Sequence, residues 1–161
     1  MLYVIICAIL ITAAVALSFV SGGYATAIAF LGLCVAGLMP GVEFGASTYI
    51  FWGVAMVIVL GLEFILPRTV TRSRLGLPYI CVGSLAGVFA GLALSSHAAL
   101  IIGAVAGAAL GGIAYGRTPA GRALEFPSPK FINYLCAKGL PIAVAMSMVG
   151  LSAMLLITLY V

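Results

Sequence analysis

Two adjacent apolar segments carry glycine at every fourth position. The first reads GSLAGVFAG, and the second, GAVAGAALG, repeats its spacing twenty residues later. The six glycines are Gly83, Gly87, Gly91, Gly103, Gly107 and Gly111. Residues four apart share one face of a helix, so each segment predicts a groove without side chains. In a membrane such grooves let two helices approach until their backbones touch. We therefore predict a glycine-zipper hairpin of two membrane helices, joined by a tight turn at 94–97.

Composition decides whether these helices belong in water or in lipid. The chain is 65% hydrophobic and 6% charged, whereas soluble domains have roughly 25% charged residues. Its mean hydropathy is +1.36. The 161 residues leave room for five or six spans of about 20 residues each. The predicted fold is all-α: a polytopic bundle of five or six transmembrane helices, forming one integral membrane domain over residues 1–161.

The apolar runs set the approximate positions of the spans. They are predicted at 2–20, 24–39, 48–66, 79–94, 98–115 and 140–160. The first run has no basic residue before it, so we predict a retained span and not a signal peptide. The second run is short, and three interpretations of it remain open: a thin span, a re-entrant segment or a continuation into Met39. Residues 131–138 are predicted to form a turn or two in the interface, with Phe131, Leu135 and, as a further candidate, Tyr134 on one side and Asn133 and Lys138 elsewhere.

Basic residues predict the orientation of this bundle. With six spans, every Arg and Lys falls in the loops 67–78 and 116–138, on one side of the membrane. The positive-inside rule makes that side cytoplasmic and places both termini outside. The formal net charge of +4 is then an orientation signal, and we expect no nucleic-acid partner. The expected partners are the lipid bilayer and either further copies of the chain or another membrane protein.

Residues that could support catalysis are few and dispersed. Four cysteines occur singly, without the pairs or clusters that metal sites and disulfides need. His97 is the only histidine and is predicted to cap a helix or face water. The glycine segments lack the GK[ST] of a phosphate loop and the βαβ setting of a dinucleotide fingerprint. We therefore expect no cofactor, no metal and no enzymatic activity.

Glu63 is the one acidic residue placed within an apolar run. It lies four positions before Pro67, and intramembrane acids often mark ion or proton pathways. A proton or cation site is therefore one interpretation. The other is an ion pair near the membrane surface with Arg68, Arg72 or Arg74, which is favoured because the cost of a charge falls towards the interface.

The order of elements resembles a family of small bacterial membrane proteins, domain-of-unknown-function family four-five-six. The similarity rests on Glu63 at the end of the third run, the basic loop 68–74, the two glycine-rich helices and a long last span. The order of elements is similar over residues 24–161, and the sequence motifs are similar over residues 62–117. The resemblance implies a multi-pass protein of the bacterial inner membrane and implies no particular reaction.

Two functions follow as hypotheses. The first is a non-enzymatic, close-packed helical module that self-associates or serves as a partner subunit. The second is a small transporter or channel component that uses Glu63, with a thin polar lining from four hydroxyl residues. Those residues are Ser84, Ser147, Ser152 and Thr158. An intramembrane enzyme ranks third, because paired acids or a serine with a base are not evident.

Overall fold

Helices make up nearly all of the described chain. The computed structural model describes residues 2–42, 45–65, 76–94, 96–124 and 126–160, without the side chains of residues 63, 64, 123, 159 and 160. Of these described residues, 86% are helical, and none lies in a strand. The all-α prediction is confirmed for this part of the chain.

The long helices follow the apolar runs of the sequence. They are α1 (Leu2–Ser18), α2 (Gly22–Gly37), α3 (Ala46–Ile65), α4 (Leu77–Ala93) and α5 (His97–Gly116). After a 3-10 turn at Arg122–Leu124 come α6 (Pro129–Tyr134), a π-helical segment (Leu135–Gly139) and α7 (Leu140–Tyr160), which follow one another without interruption. Proline begins two of these helices near its preferred first position, in α4 and in α6.

Two helices of the described chain are long and apolar enough to cross a membrane. They are His97–Gly116, with 20 residues, and Pro129–Thr158, with 30 residues. Shorter apolar helices cover Leu2–Ser18, Gly22–Gly37, Ala46–Leu62 and Leu77–Ala93. A helix of 16 residues such as α2 is about 24 Å long, less than the roughly 30 Å of a hydrocarbon core.

α7 lies at the centre of the bundle. It packs against α1, α2, α3, α4 and α5, while α4 and α5 form the closest pair. The core joins Ile142, Met146 and Met148 of α7 to Leu33 of α2 and Leu100 of α5, all nearly inaccessible. The bundle is therefore arranged around its last helix, with the α4–α5 hairpin on one side.

The first turn of α2 contains two glycines that lie between the predicted spans 2–20 and 24–39. Gly22 and Gly23 are helical and buried. A Cβ added to Gly22 would lie 2.7 Å from the Cβ of Pro141 in α7. One turn later, the Thr26 hydroxyl donates hydrogen bonds to the Pro141 carbonyl (3.0 Å) and to the Gly22 carbonyl (2.8 Å). The glycine is therefore needed for close packing of α2 against α7.

Residues 131–138, which are predicted to lie in the interface, are not separated from the last helix. This segment continues directly into α7, and a backbone bond from the amide of Leu140 to the carbonyl of Leu135 closes a π turn just before Pro141. Such a turn lets the helix run past a proline that removes a regular bond. Lys138 is only 7% exposed, because it follows the buried Tyr134 by four residues and so shares its face.

Candidate helix-packing site

The six ladder glycines lie where α4 and α5 run antiparallel, a site we call the glycine seam. Gly83 faces Gly107, and Gly87 faces Gly103. One step further in each direction, a glycine faces a different residue: Gly91 meets Ala99, and Gly111 meets Tyr79. Each step of four along α4 thus matches a step of four back along α5. The seam contains two glycine–glycine rungs flanked by two rungs with a single glycine.

The backbones along the seam are too close to admit a side chain. A Cβ added to Gly87 would lie 2.5 Å from the carbonyl carbon of Gly103, and one added to Gly107 would lie 2.7 Å from that of Gly83. At the turn end, a Cβ on Gly91 would lie 2.6 Å from the Cα of Leu100. Carbon atoms in optimal contact are about 3.5–4.0 Å apart. Even alanine therefore requires the two helices to move apart.

One hydrogen bond crosses the seam. The buried hydroxyl of Ser84 donates to the carbonyl of Ala104 at 3.0 Å. Interhelical hydrogen bonds of this type add to close packing in membrane helices. The hairpin turn is short: α4 ends with Leu94 as its C-cap, and Ser96 is the N-cap of α5. His97 is the first residue of α5 and is exposed, and the cap residue is Ser96, not His97.

Three tyrosines pack at the end of the seam opposite the turn. The rings of Tyr79 and Tyr115 have centroids 5.7 Å apart, and Tyr115 stacks on Tyr134 at 6.0 Å. Gly76 has φ +80, and an added Cβ would lie 2.7 Å from Cδ1 of Tyr115. Sequence analysis did not single out this cluster. The sequence pattern that could have revealed it is a tyrosine near the same end of three helices, a placement typical of membrane interfaces.

The hydroxyl residues suggested as a polar lining are hydrogen bonded in separate places. Ser147 donates to the Ala143 carbonyl at 2.8 Å, and Ser152 donates to the Met148 carbonyl at 2.9 Å, each within α7. Thr158 is exposed and bonds within its own helix. Ser84 is used at the seam. Each of these four hydroxyls therefore donates to a backbone carbonyl and none donates to another of the four.

Glu63 lies in the last turn of α3, two residues before the helix ends at Ile65. Its side chain and residues 66–75, which include its suggested partners Arg68, Arg72 and Arg74, lie outside the described residues. Both interpretations of Glu63 therefore stay predictions.

Metal-ligating residues do not gather anywhere in the described chain. No group of three or more His, Cys, Asp or Glu side chains there is placed to hold a metal ion. The four cysteines are free thiols. Two of them donate to backbone: Cys7 to the Gly32 carbonyl at 3.6 Å and Cys81 to the Ser18 carbonyl at 3.1 Å. These thiols therefore act as small helix-packing groups at the positions they occupy.

The fold and the seam define an all-α protein with two helices able to cross a membrane and a hairpin in backbone contact. Comparison of the chain with known protein families, with curated proteins and with solved structures finds no match. The resemblance to family four-five-six thus rests on the residues and the order of elements alone.

Proposed function

We propose that this chain is a multi-pass, non-enzymatic helical module of the bacterial inner membrane. It acts through contacts with further copies or with a partner subunit, and its basic loops face the cytoplasm. The observation that supports this most is the backbone contact along the whole α4–α5 hairpin. Such contact makes a thin, rigid pair of helices, and rigidity suits a structural module better than a gated pathway.

The distribution of apolar surface supports the membrane setting. Large apolar side chains are exposed along α1, α3, α4 and α5, including Ile5 (57%), Val57 (64%), Phe89 (63%) and Ile102 (67%). Soluble monomers seldom expose contiguous apolar patches larger than a few hundred Å². In a bilayer the same side chains contact lipid tails at no cost. Additional spans would then come from the shorter helices α1, α2, α3 and α4, by tilting or by local thinning of the bilayer.

The internal polar groups support a structural role over a binding role. No buried side-chain nitrogen or oxygen in the described chain lacks a hydrogen-bond partner. Buried hydroxyls such as Ser18 and Ser147 donate to their own helices, four residues back. The donor hydrogens of these hydroxyls are therefore used within single helices, as is usual for hydroxyl residues inside helices.

The test is the mass of the protein extracted with its native lipids, measured by native mass spectrometry. One chain has a mass of 16.4 kDa, so a module should appear at a multiple of this mass or together with a second protein. Gly87→Leu should abolish the assembly by separating α4 from α5. Gly61→Leu is the matched control, because a Cβ at Gly61 has no neighbour within 4 Å. A single chain in every sample would contradict the proposal.

The alternative is a transporter or channel component in which Glu63 titrates or binds a cation. Its position in the last turn of α3 is compatible with a site near one membrane surface. Cation or proton flux into liposomes that is lost in Glu63→Gln, from a protein that runs as a single chain, would favour this alternative. Flux that is absent from wild type, together with a stable assembly, would favour the module.

A further inference from the structure

Lys138 places a positive charge inside the bundle. Its side chain is only 7% exposed, whereas Arg117, Arg122 and Lys130 are exposed. Among the side chains that the structure describes, no other charged group is buried. A buried charge is costly unless a group of opposite charge lies close to it. An acidic residue near Lys138 is therefore expected, and the positions of the helices indicate which one it is.

α2 and α7 run in the same direction and stay in step. At their first turns Gly22 lies against Pro141, and further along Leu155 packs against the cluster that contains Ala36. In both places the residue of α7 follows its neighbour in α2 by the same number of positions. The first turn of α2 is therefore level with the start of α7, close to Lys138.

α3 returns along α2 in the opposite direction and brings Glu63 to that level. The two helices are consecutive and pack together, and a Cβ added to Gly53 would lie 3.6 Å from Cζ of Phe30. Glu63 lies ten residues beyond Gly53, so its backbone is level with Val20, which lies ten residues before Phe30. Val20 comes just before the first turn of α2.

A contact between α3 and α7 gives the same level independently. Trp52 of α3 and Leu151 of α7 line one pocket near the turn of the hairpin. Glu63 lies eleven residues after Trp52, and Leu140 lies eleven residues before Leu151. Because α3 runs opposite to α2, it also runs opposite to α7. Glu63 is therefore level with Leu140, which is two residues from Lys138, or about 3 Å of helix.

Position 63 also belongs to the buried face of α3. Trp52 and Val59 are 4% and 0% exposed, and Met56 packs against the same core. These residues are spaced by four and then three positions, as on one face of a helix, and Glu63 follows Val59 by four. The first turn of α2 has no acidic residue of its own. The positive end of the α2 dipole therefore adds to Lys138 in favouring a carboxylate at this level.

The other two acidic residues of the chain do not match this level. Glu43 belongs to the connection between α2 and α3, which joins the opposite ends of those helices. Glu125 precedes Pro129, the first residue of α6. Pro129 is itself nine residues from Lys138, or about 13 Å of helix. Glu63 is therefore the acidic residue whose level agrees with that of Lys138.

We infer that Glu63 and Lys138 form a buried ion pair that fastens the end of α3 to the last helix, beside the first turn of α2. Lys138, and not an arginine of the loop 68–74, is then the partner of Glu63. The inference rests on the positions of the helices and does not depend on whether the chain self-associates. Removing one partner leaves the other charge buried alone, so each substitution should cost far more than the loss of a surface ion pair.

A double-mutant cycle tests the pair in mixed micelles, with unfolding followed by circular dichroism. Glu63→Gln and Lys138→Gln should each lower the folding equilibrium constant by at least about 100-fold. In the double variant the second substitution should cost far less, because no buried charge is left alone. Glu125→Gln is the matched control, and its effect should simply add to that of Lys138→Gln. Additive effects at positions 63 and 138, or coupling of Lys138 to Glu125 instead, would overturn the inference.

A second measurement uses the wild-type protein in its native membrane. Dicyclohexylcarbodiimide, an apolar reagent that activates carboxyl groups, should join Glu63 to Lys138 by an amide bond, because the two side chains are in direct contact. Peptide mass spectrometry should identify this cross-link. Recovery of Glu63 without a link to Lys138, or of Lys138 linked to Glu125, would overturn the inference. A single chain that carries the Glu63–Lys138 link would contradict the proposed module and leave the ion pair standing.

Discussion

A single methyl group at the centre of the glycine seam should destabilise the protein. In Gly87→Ala the new Cβ would lie 2.5 Å from the carbonyl carbon of Gly103. Optimal contact between carbon atoms begins at about 3.5 Å, so α4 and α5 must separate locally by about 1 Å. No flexible side chain can yield in their place, because the neighbouring atoms are backbone on both sides.

The cost follows from that separation. A gap of up to about 1 Å removes a quarter to a half of the dispersion energy of the atoms that line it. It would also stretch the bond from Ser84 to the Ala104 carbonyl from 3.0 Å to about 4 Å, beyond hydrogen-bond range. Overpacking a close contact costs about 1–3 kcal/mol, and an interhelical hydrogen bond in a membrane protein adds about 0.6 kcal/mol. We expect a loss of about 2–3 kcal/mol in the free energy of unfolding.

The assay is reversible unfolding in mixed micelles, followed by circular dichroism, with Gly61→Ala as the control. Gly61 is also inside a helix, but an added Cβ there has no neighbour within 4 Å. On helix propensity alone, both changes should be neutral or stabilising by up to about 1 kcal/mol. If Gly87→Ala is as stable as Gly61→Ala, the seam is looser than the distances indicate and the reasoning is refuted.

Three further predictions concern the polar and thiol groups. Ser84→Ala should lower the free energy of unfolding by about 0.6 kcal/mol. Ser152→Ala removes only a bond within α7, so it should change this free energy much less. Equal effects of the two substitutions in denaturation curves would contradict the prediction. Thr26→Val should cost a similar amount because it removes a bond to a carbonyl of α7, and a stability equal to wild type would argue against that contact. In the folded protein, the partly buried Cys136 should react with maleimide well before the fully buried Cys81. Mass spectrometry after timed labelling measures the order of reaction. If Cys81 reacts first, the packing of α4 described above is wrong.

The register of the seam follows from sequence once the turn is placed. The hairpin folds about the midpoint between Leu94 and Ser96, so residues equally distant from that midpoint meet. This rule gives the rungs Gly87–Gly103 and Gly91–Ala99 that the structure shows. The glycine spacing by itself leaves the register open, since shifting one helix by four residues would still align glycines. The length of the turn therefore specifies the partners, and the glycines permit them to approach.

Other features could not be predicted because they depend on contacts between distant residues. Gly22 has the sequence context of a loop, and its close approach to Pro141 requires knowing that α2 packs on α7. The central position of α7 is likewise hidden, because all the apolar runs have similar composition. Lys138 is a different case: its spacing from Tyr134 does place it on the buried face, whereas the sequence analysis set it apart from Phe131 and Leu135.

The seam also determines which surface remains for association with other chains. Both glycine ladders are occupied within the hairpin, because Gly83 faces Gly107 and Gly87 faces Gly103. A second copy cannot use those backbone contacts without opening the hairpin. In the proposed module, contacts between chains would therefore use exposed surface, such as the apolar face of Phe89 on α4. Substitutions in the seam should then reduce folding and assembly together, whereas substitutions on the particular exposed face that the chains share should reduce assembly alone. Stability and mass have to be measured on the same variants, because only the difference between them separates a packing role from an association role.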